Sequence, residues 1–484
     1  PLGAPPTTTL PQPYFGGELQ NGVVNPSAGA GEVLDPNFRP NRSDEFDLTF
    51  QRQISPAFST EIGYTGRVIR NEYEGINLDA TPYMMTAGGQ QFQSAFANLF
   101  NQVASGGTVT AQPFFEAALG GTGATGSAFC NAYSSCTAAV AAAYGTAKGG
   151  KKYIDPVNGN NVYALWSALN SLSAWTLGRT FASAPTTCGT PGVGGCPASG
   201  VVSGSGQVQA IFTNASLGWG NYNSMFWSVN MRSWHGLTAL SNFTWSRAMG
   251  TGQLYQARSE ATVPDPFNQH AQYGPQTEDT PLNYNLYFVY QPGPKTQDGL
   301  VGRLIHGWSF APIFTWNDGG WTAVSNGGNC ASWGEGDCSA ESTLERAVMP
   351  SGYTGGSSYE PNATNASVGA RSNASAKGTG MNRFGSDAAA IYAEFRPIVL
   401  GEDTTSWSGH IPALHYWDVD FSLDKDLAIT ERFGADLNAQ ATNVFNAFEP
   451  SAYSLNINNP RNFGAISGNS QSPRTIEVGL RLHW

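Results

Sequence analysis

Six cysteines are the residues best placed to do chemistry in this chain, and their spacing narrows which chemistry. Cys130/Cys136, Cys188/Cys196 and Cys330/Cys338 form three sequence-local pairs, with five, seven and seven residues between partners. Paired zinc ligands stand about two to four residues apart, and no His-x-x-x-His accompanies these. Even number, local pairing and Gly/Ser/Thr surroundings point to three disulfides that staple loops in an oxidising compartment, with unpaired loop thiols as the alternative. Gly121-Thr122-Gly123-Ala124-Thr125-Gly126 spells G-x-G-x-x-G. It follows FFEAAL, which reads as helix, and no strand precedes it, so the dinucleotide fingerprint fails on context. No G-x-S-x-G, H-E-x-x-H or EF-hand pattern is present, and the histidines at 235, 270, 306, 410, 415 and 483 are scattered. No enzyme, cofactor or metal site is expected. Asp418, Asp420 and Asp424 alternate along one face. They suit a cation or a basic substrate, but the expected role is as lumen residues paired with arginines of neighbouring strands. The three N-x-S/T sequons in 361–378 mark a solvated low-complexity loop.

The elements that position these residues follow from composition and period. Of 484 residues only 12% are charged, against about 25% in a soluble globular protein. Aromatics reach 12% and glycines number 58, while uncharged polar residues hold the mean hydropathy at −0.27. A net charge of −11 argues against a nucleic-acid partner, which requires a basic stripe. No apolar run is long enough for a membrane-spanning helix. Pro1 is preceded by no basic n-region or apolar h-region, so any signal peptide is expected upstream or removed.

Alternation is the informative signal. Residues 44–54 place Phe46, Leu48, Phe50 and Ile54 on one face and Asp47, Thr49, Gln51 and Gln53 on the other. The same two-residue period runs through 58–67, 223–234, 237–247, 282–291, 303–316, 414–427, 431–446 and 474–484. One oily and one polar wall per strand, with Trp and Tyr near strand ends, predicts an all-β fold: a transmembrane antiparallel β-barrel whose oily side meets outer-membrane lipid. Asp418, Asp420, Asp424, Asp436, Asn438, Gln440, Glu477 and Arg481 are then candidates to face the lumen. Short connections (55–57, 235–236, 292–302, 428–430) alternate with long ones (68–222, 248–281, 317–413, 447–473). Short periplasmic turns and long extracellular loops have this rhythm. All six cysteines fall in the long class, so the loops are expected to be disulfide-stapled. They are also partly helical, since 89–103, 111–119, 127–145 and 161–177 show helical spacing. The loop 68–222 is expected to fold as an extracellular cap. Residues 1–43 are expected to be an extracellular loop leading into a barrel portion, 44–484, whose C-terminus is periplasmic. Nine strands is an odd count, and open edges in lipid are costly, so further strands are expected from outside this segment.

Several blocks carry a family resemblance: NRSDEFDLTFQRQISPAFSTEIGYTGR (41–67), INLDATPYMM (76–85), NYNSMFWSVNMRSWHGLTALSNFTWSRAM (221–249) and KDLAITERFGADLNAQATNVFNAF (425–448). They resemble Oar-like TonB-dependent outer-membrane receptors of the acidobacterial type. The resemblance implies the C-terminal part of a 22-stranded barrel that encloses an N-terminal plug and imports a bulky substrate, energised through a TonB box. No plug, TonB box or early strand lies within 1–484, so TonB enters only through the absent plug. Plug and early strands are expected from the same gene or a second chain. Ile476, Val478, Leu480, Leu482 and Trp484 resemble the C-terminal signal read by the barrel-assembly machinery. A surface structural or adhesion protein anchored by the same barrel is the alternative function.

Peptide mapping without reduction tests the cysteine reading. It should recover 130–136, 188–196 and 330–338 linkages, and cross-pairing between loops would refute the local scheme.

Overall fold

The computed structural model describes residues 19–20, 23–24, 33–77, 80–123, 126–145, 152–156, 160–177, 186–187, 201–202, 212–251, 265, 267–268, 270, 273–276, 279–293, 299–322, 324–325, 382–384, 388–403, 411–430, 432–449, 455–466 and 469–484. Nine long strands carry the architecture: β1 (Arg42–Ser55), β2 (Phe58–Asn77), β3 (Phe212–Trp234), β4 (Leu237–Gly250), β5 (Leu282–Tyr290), β6 (Trp308–Asn317), β7 (Tyr416–Ala428), β8 (Gly434–Thr442) and β9 (Thr475–His483). Each pairs antiparallel with its sequence neighbours in one consecutive meander. The sheet does not close on itself. β1 and β9 form its two ends, and short strands Val33–Leu34 and Gly274–Pro275 add to β3 and β4.

Backbone chemistry sets the tight turns. Between β3 and β4, His235 and Gly236 both take positive φ, 49° and 84°, the twist that a two-residue hairpin loop requires. A side chain at Gly236 would run into the Gln291 carbonyl of the next connection. Between β7 and β8 the Thr430 hydroxyl accepts from the Arg432 and Phe433 amides, at 3.3 and 3.0 Å.

The register sets side chains of one kind in rows across the sheet. An apolar row runs Phe50, Ile62, Trp227, Phe243, Tyr284, Trp316 and Trp417, each directly opposite the next. A second joins Phe310, Leu423, Ala439 and Val478. These faces are uncovered: Leu48 is 76%, Val478 70% and Leu480 66% exposed. Trp308 and Trp316 bracket β6, eight residues or roughly 26 Å apart along the strand. A tilt of about 40° shortens that to about 20 Å, which fits an apolar band about 25 Å tall between aromatic girdles.

The buried core lies in the loops instead. The connection after β2 holds α1 (Phe92–Ala104), α2 (Pro113–Ala118), α3 (Cys136–Tyr144) and α4 (Val162–Ser171), one in each of the four stretches of helical spacing, with α1 running one residue past its stretch. Phe92, Phe96, Leu99, Trp166 and Leu169 are fully buried at i, i+4 and i+7 or i+3 intervals, so apolar stripes rather than propensity hold these helices. Side chains of Ser135 and Asn161 cap α3 and α4, accepting from Ala138 and Ala164 amides at 3.0 and 2.8 Å. Ile398, Val399 and Leu400, from the connection after β6, complete the same core. A second core gathers Val324, Phe395, Ile411, Leu455, Ile457 and Phe463 from the connections after β6 and β8.

Strand ends depart from the periodicity in three places. β2 runs on to Asn77 and β3 starts at Phe212 because they pair with each other past the apolar alternation, so their connection is 78–211. Residues 303–305, expected in a strand, belong to helix α5 (Gly299–Ile305). β8 stops at Thr442, where Asn443 and Asn446 take left-handed φ of 48° and 50° and turn the chain. Short connections still alternate strictly with long ones, and the meander puts every short one at the same end of the sheet.

The two faces make opposite predictions for charge. Val478→Arg should lose about 2–4 kcal/mol and Gln440→Arg less than about 1 kcal/mol, measured by denaturant titration in lipid or detergent. Equal losses would mean the faces do not meet different solvents.

Candidate functional site

Period two turns the second face into a hydrogen-bonding surface. Gln51, Glu61, Ser228, Asn242, Asn285, Thr315 and Asp418 stand opposite one another in one row across seven strands. The Ser228 hydroxyl donates to Asn242 Oδ1 at 2.7 Å. The structure brings the sequence-selected residues together at the β7–β9 end of this face. Gln440 lies opposite both Ser422 and Glu477, Asn438 opposite Asp424, and Asp436 opposite both Asp426 and Arg481. Asn438 donates to Asp424, which also accepts from Ser422 Oγ at 3.1 Å. Asp420 accepts the Asn443 amide at 2.9 Å and Asp418 the Val419 amide at 2.8 Å. Asp436 lies 3.6 Å from His483 Nδ1. Asp418, Asp420 and Asp424 are thus satisfied by amides, a hydroxyl and backbone N–H groups; among the described residues no arginine pairs with them, contrary to the expected pairing.

Two features of this face escape the alternation. Leu240, Tyr287 and Ile313 stand opposite one another between Asn230 and Asp420, an apolar island on the polar side. Tyr287 and Ile313 are exposed. At the long-connection end, beyond the apolar band, Glu72 and Glu74 are buried. Asn71 takes φ 58° and the register jumps there, from Trp219 opposite Arg70 to Gly218 opposite Glu72. This bulge puts the carboxylates under two glycines. A Cβ at Gly218 would lie 2.7 Å from Glu74 Oε1, and one at Gly220 would lie 3.4 Å from Glu72 Oε1. Thr251 Oγ1 donates to Glu74 Oε1 at 2.8 Å. Oε2 of each glutamate has no hydrogen-bond partner among the described residues. Both pKa values are pushed up to about 7, chiefly by burial. Arg67 opposes this at Glu72; at Glu74 the Thr251 hydroxyl opposes it and the Glu72 charge adds to it. The continued Glu-x-Glu alternation past Arg67 was the available sequence signal.

Acid–aromatic contacts tie the neighbouring loop bases to the sheet and to one another. Asp279, fully buried at its carboxylate, pairs with Arg247 at 2.7 Å and accepts the Trp321 indole N–H at 2.9 Å. The Arg247 guanidinium lies 5.0 Å from the Trp321 ring centroid. Tyr83 donates to Asp265 at 2.7 Å. Cys130 and Cys136 form a disulfide at the start of α3, their Cα atoms 4.7 Å apart. Cys188, Cys196, Cys330 and Cys338 lie outside the described residues. Ile476, Val478, Leu480 and Leu482 share the exposed apolar face of β9, and Trp484 is exposed beyond it. Among the described residues no three His, Cys, Asp or Glu side chains converge as metal ligands. The arrangement is a broad polar surface suited to binding by many weak hydrogen bonds.

The profile of the outer membrane beta barrel domain matches residues 2–477. No curated protein matches the chain. Among solved structures it is similar to the outer membrane transporter YddB from Escherichia coli, at 8% identity and TM-score 0.36, over 95% of this chain and 35% of that one. The FrpB iron transporter from Neisseria meningitidis (F3-3 variant) gives 6% and 0.31, over 94% and 33%. The ferric-catecholate import receptor Fiu from E. coli K12, in its closed form, gives 7% and 0.30, over 93% and 28%. The chain spans about a third of the length of these structures.

The glutamate pair makes stability depend on pH in a defined direction. Unfolded, both groups titrate near 4.5, and folded near 7, so the folded state holds extra protons in between. Their contribution is complete below the unfolded value and is lost as pH rises through the folded one. The thermal midpoint should therefore fall from about pH 5 to about pH 8, with Glu72→Gln and Glu74→Gln each removing about half the slope. A flat wild-type profile would contradict this.

Proposed function

The chain belongs to the outer membrane beta barrel domain family, and from that premise we propose that it is the C-terminal barrel portion of a TonB-dependent receptor that imports a bulky substrate. One observation carries this reading: through nine consecutive strands one face is apolar and uncovered while the other is polar. Such a wall suits lipid outside and a wet lumen inside. Both end strands offer an unpaired backbone edge, which hydrocarbon does not tolerate. We therefore assign closure to further strands of the same gene product or a second chain, towards the 22 implied by the Oar-like resemblance. The apolar island of Leu240, Tyr287 and Ile313, the last two exposed, gives a plug a surface to pack against inside the wall. TonB acts through that plug.

Orientation follows the same reading. The long connections are extracellular, the short turns and Trp484 periplasmic, and the α1–α4 cap captures substrate. Cys188–Cys196 and Cys330–Cys338 staple the loops as Cys130–Cys136 does. Ile476, Val478, Leu480, Leu482 and Trp484 present the C-terminal signal to the barrel-assembly machinery. Asp418, Asp420, Asp424, Asp436, Asn438, Gln440, Glu477 and Arg481 face the lumen.

Uptake separates transport from mere anchoring. Deleting the gene should abolish accumulation of at least one member of a panel of labelled solutes too large for diffusion pores. The full-length gene should restore it, and a protonophore should stop it. Accumulation unchanged by deletion across the panel would sink the import reading.

A further inference from the structure

Helix α5 carries a second apolar surface that the sheet does not account for. Leu300, Val301, Leu304 and Ile305 are 76%, 66%, 61% and 59% exposed, and the helix has no buried residue. At about 100° per residue these four cover an arc of roughly 140°, with Gly299, Gly302 and Arg303 on the other side. A water-facing apolar stretch of this kind in the short connection between β5 and β6 would be unfavourable.

Its attachment shows which side of the wall it occupies. Lys425 Nζ donates to the Arg303 carbonyl at 2.6 Å, to that of Leu304 at 3.4 Å, and to that of His306. Trp308 Nε1 donates to the Leu304 carbonyl at 2.9 Å. Lys425 and Trp308 stand directly opposite each other, in unbroken register with Leu423 and Phe310 two residues along. Both anchors therefore project from the apolar face. A lysine there would be costly by itself; the last carbonyls of α5, which a helix leaves without partners, satisfy it. The Trp308 ring lies 5.0 Å from the ammonium and stacks on Phe310 at 6.4 Å.

We propose that α5 is an interfacial anchor, held by Lys425 and Trp308 against the outside of the barrel wall, which puts Leu300, Val301, Leu304 and Ile305 into the acyl chains of the adjacent leaflet. The occupant is lipid because both anchors of the helix continue the apolar band of Tyr290, Phe310 and Leu423 on the same side of the sheet. Arg303 on the opposite side of the helix and the Lys425 ammonium at its C-terminal end, with Trp308, suit headgroup depth. This inference rests on the reading of the sheet as a membrane wall.

Spin labels on the full-length protein in phospholipid vesicles test it. Labels enter through Leu300→Cys and Leu304→Cys, with Val478→Cys as the apolar-face reference and Asn242→Cys as the polar-face reference. Labels at 300 and 304 should match Val478, with collisions favouring oxygen over a water-soluble nickel chelate. Preferential nickel access at both positions would place the helix in water and overturn the proposal. Access by neither reagent would mean that protein covers it, with the same consequence. Lys425→Met should raise nickel access at 304 and leave 478 unchanged; no change at 304 would overturn the anchoring role of Lys425. If 478 itself favours nickel, the wall reading fails and the proposal with it. A water-like signal confined to 300 and 304 removes the anchor alone.

Discussion

The pairing of backbone amides between neighbouring strands is the constraint on which everything else here depends. A wall with hydrocarbon on one side has no water there to satisfy an N–H or C=O, so each strand must find its partners in the strands beside it. The consecutive meander meets this from β2 to β8, and the unbroken registers from β5 to β9 hold side chains of one kind in rows across the sheet. Once those rows exist, exposed Leu48, Val478 and Leu480 are not a packing failure. They are the side of the molecule that meets a non-aqueous solvent.

That constraint also explains where the hydrophobic core is. The sheet cannot bury its oily face against itself, so compact burial appears only in the long connections, where water returns. Phe92, Phe114, Trp166 and Leu169 pack there around a disulfide-closed turn, and Ile398–Leu400 from another connection enter the same cluster. The loops are thereby fastened to one another through their cores. Asp279 with Arg247 and Trp321, and Thr251 with Glu74, fasten their bases to the strands, while Asp265 with Tyr83 ties one connection to another.

Charges are placed by the same logic. The aspartates of β7 stay on the polar face, where Asn438, Ser422 and backbone N–H groups satisfy them. Lys425 is the exception on the apolar face, and it is accommodated because α5 ends beside it with carbonyls to spare. Glu72 and Glu74 are the other exception: carboxyls whose burial pushes their pKa up to about 7, against the opposing pull of Arg67 and of the Thr251 hydroxyl.

Much of this was legible without coordinates. A period of two needs only the chain itself, because a strand must send neighbours to opposite sides, and so nine strands, their two faces and the polar set from Asp418 to Arg481 could be read directly. The helical stretches of the long connection were legible for the same reason at period 3.6. What the sequence did not disclose were relations between segments distant along the chain. The overrun of β2 and β3 exists because each is the other's partner, and the bulge at Asn71 resets which side Glu72 and Glu74 take. Residues 303–305 become helix, not strand, with Lys425 from 120 residues later at their carbonyls. Local periodicity determined which residues share a face. Tertiary structure decided what each face meets and which buried charge finds a partner, because those energies belong to contacts between strands and not to any one of them.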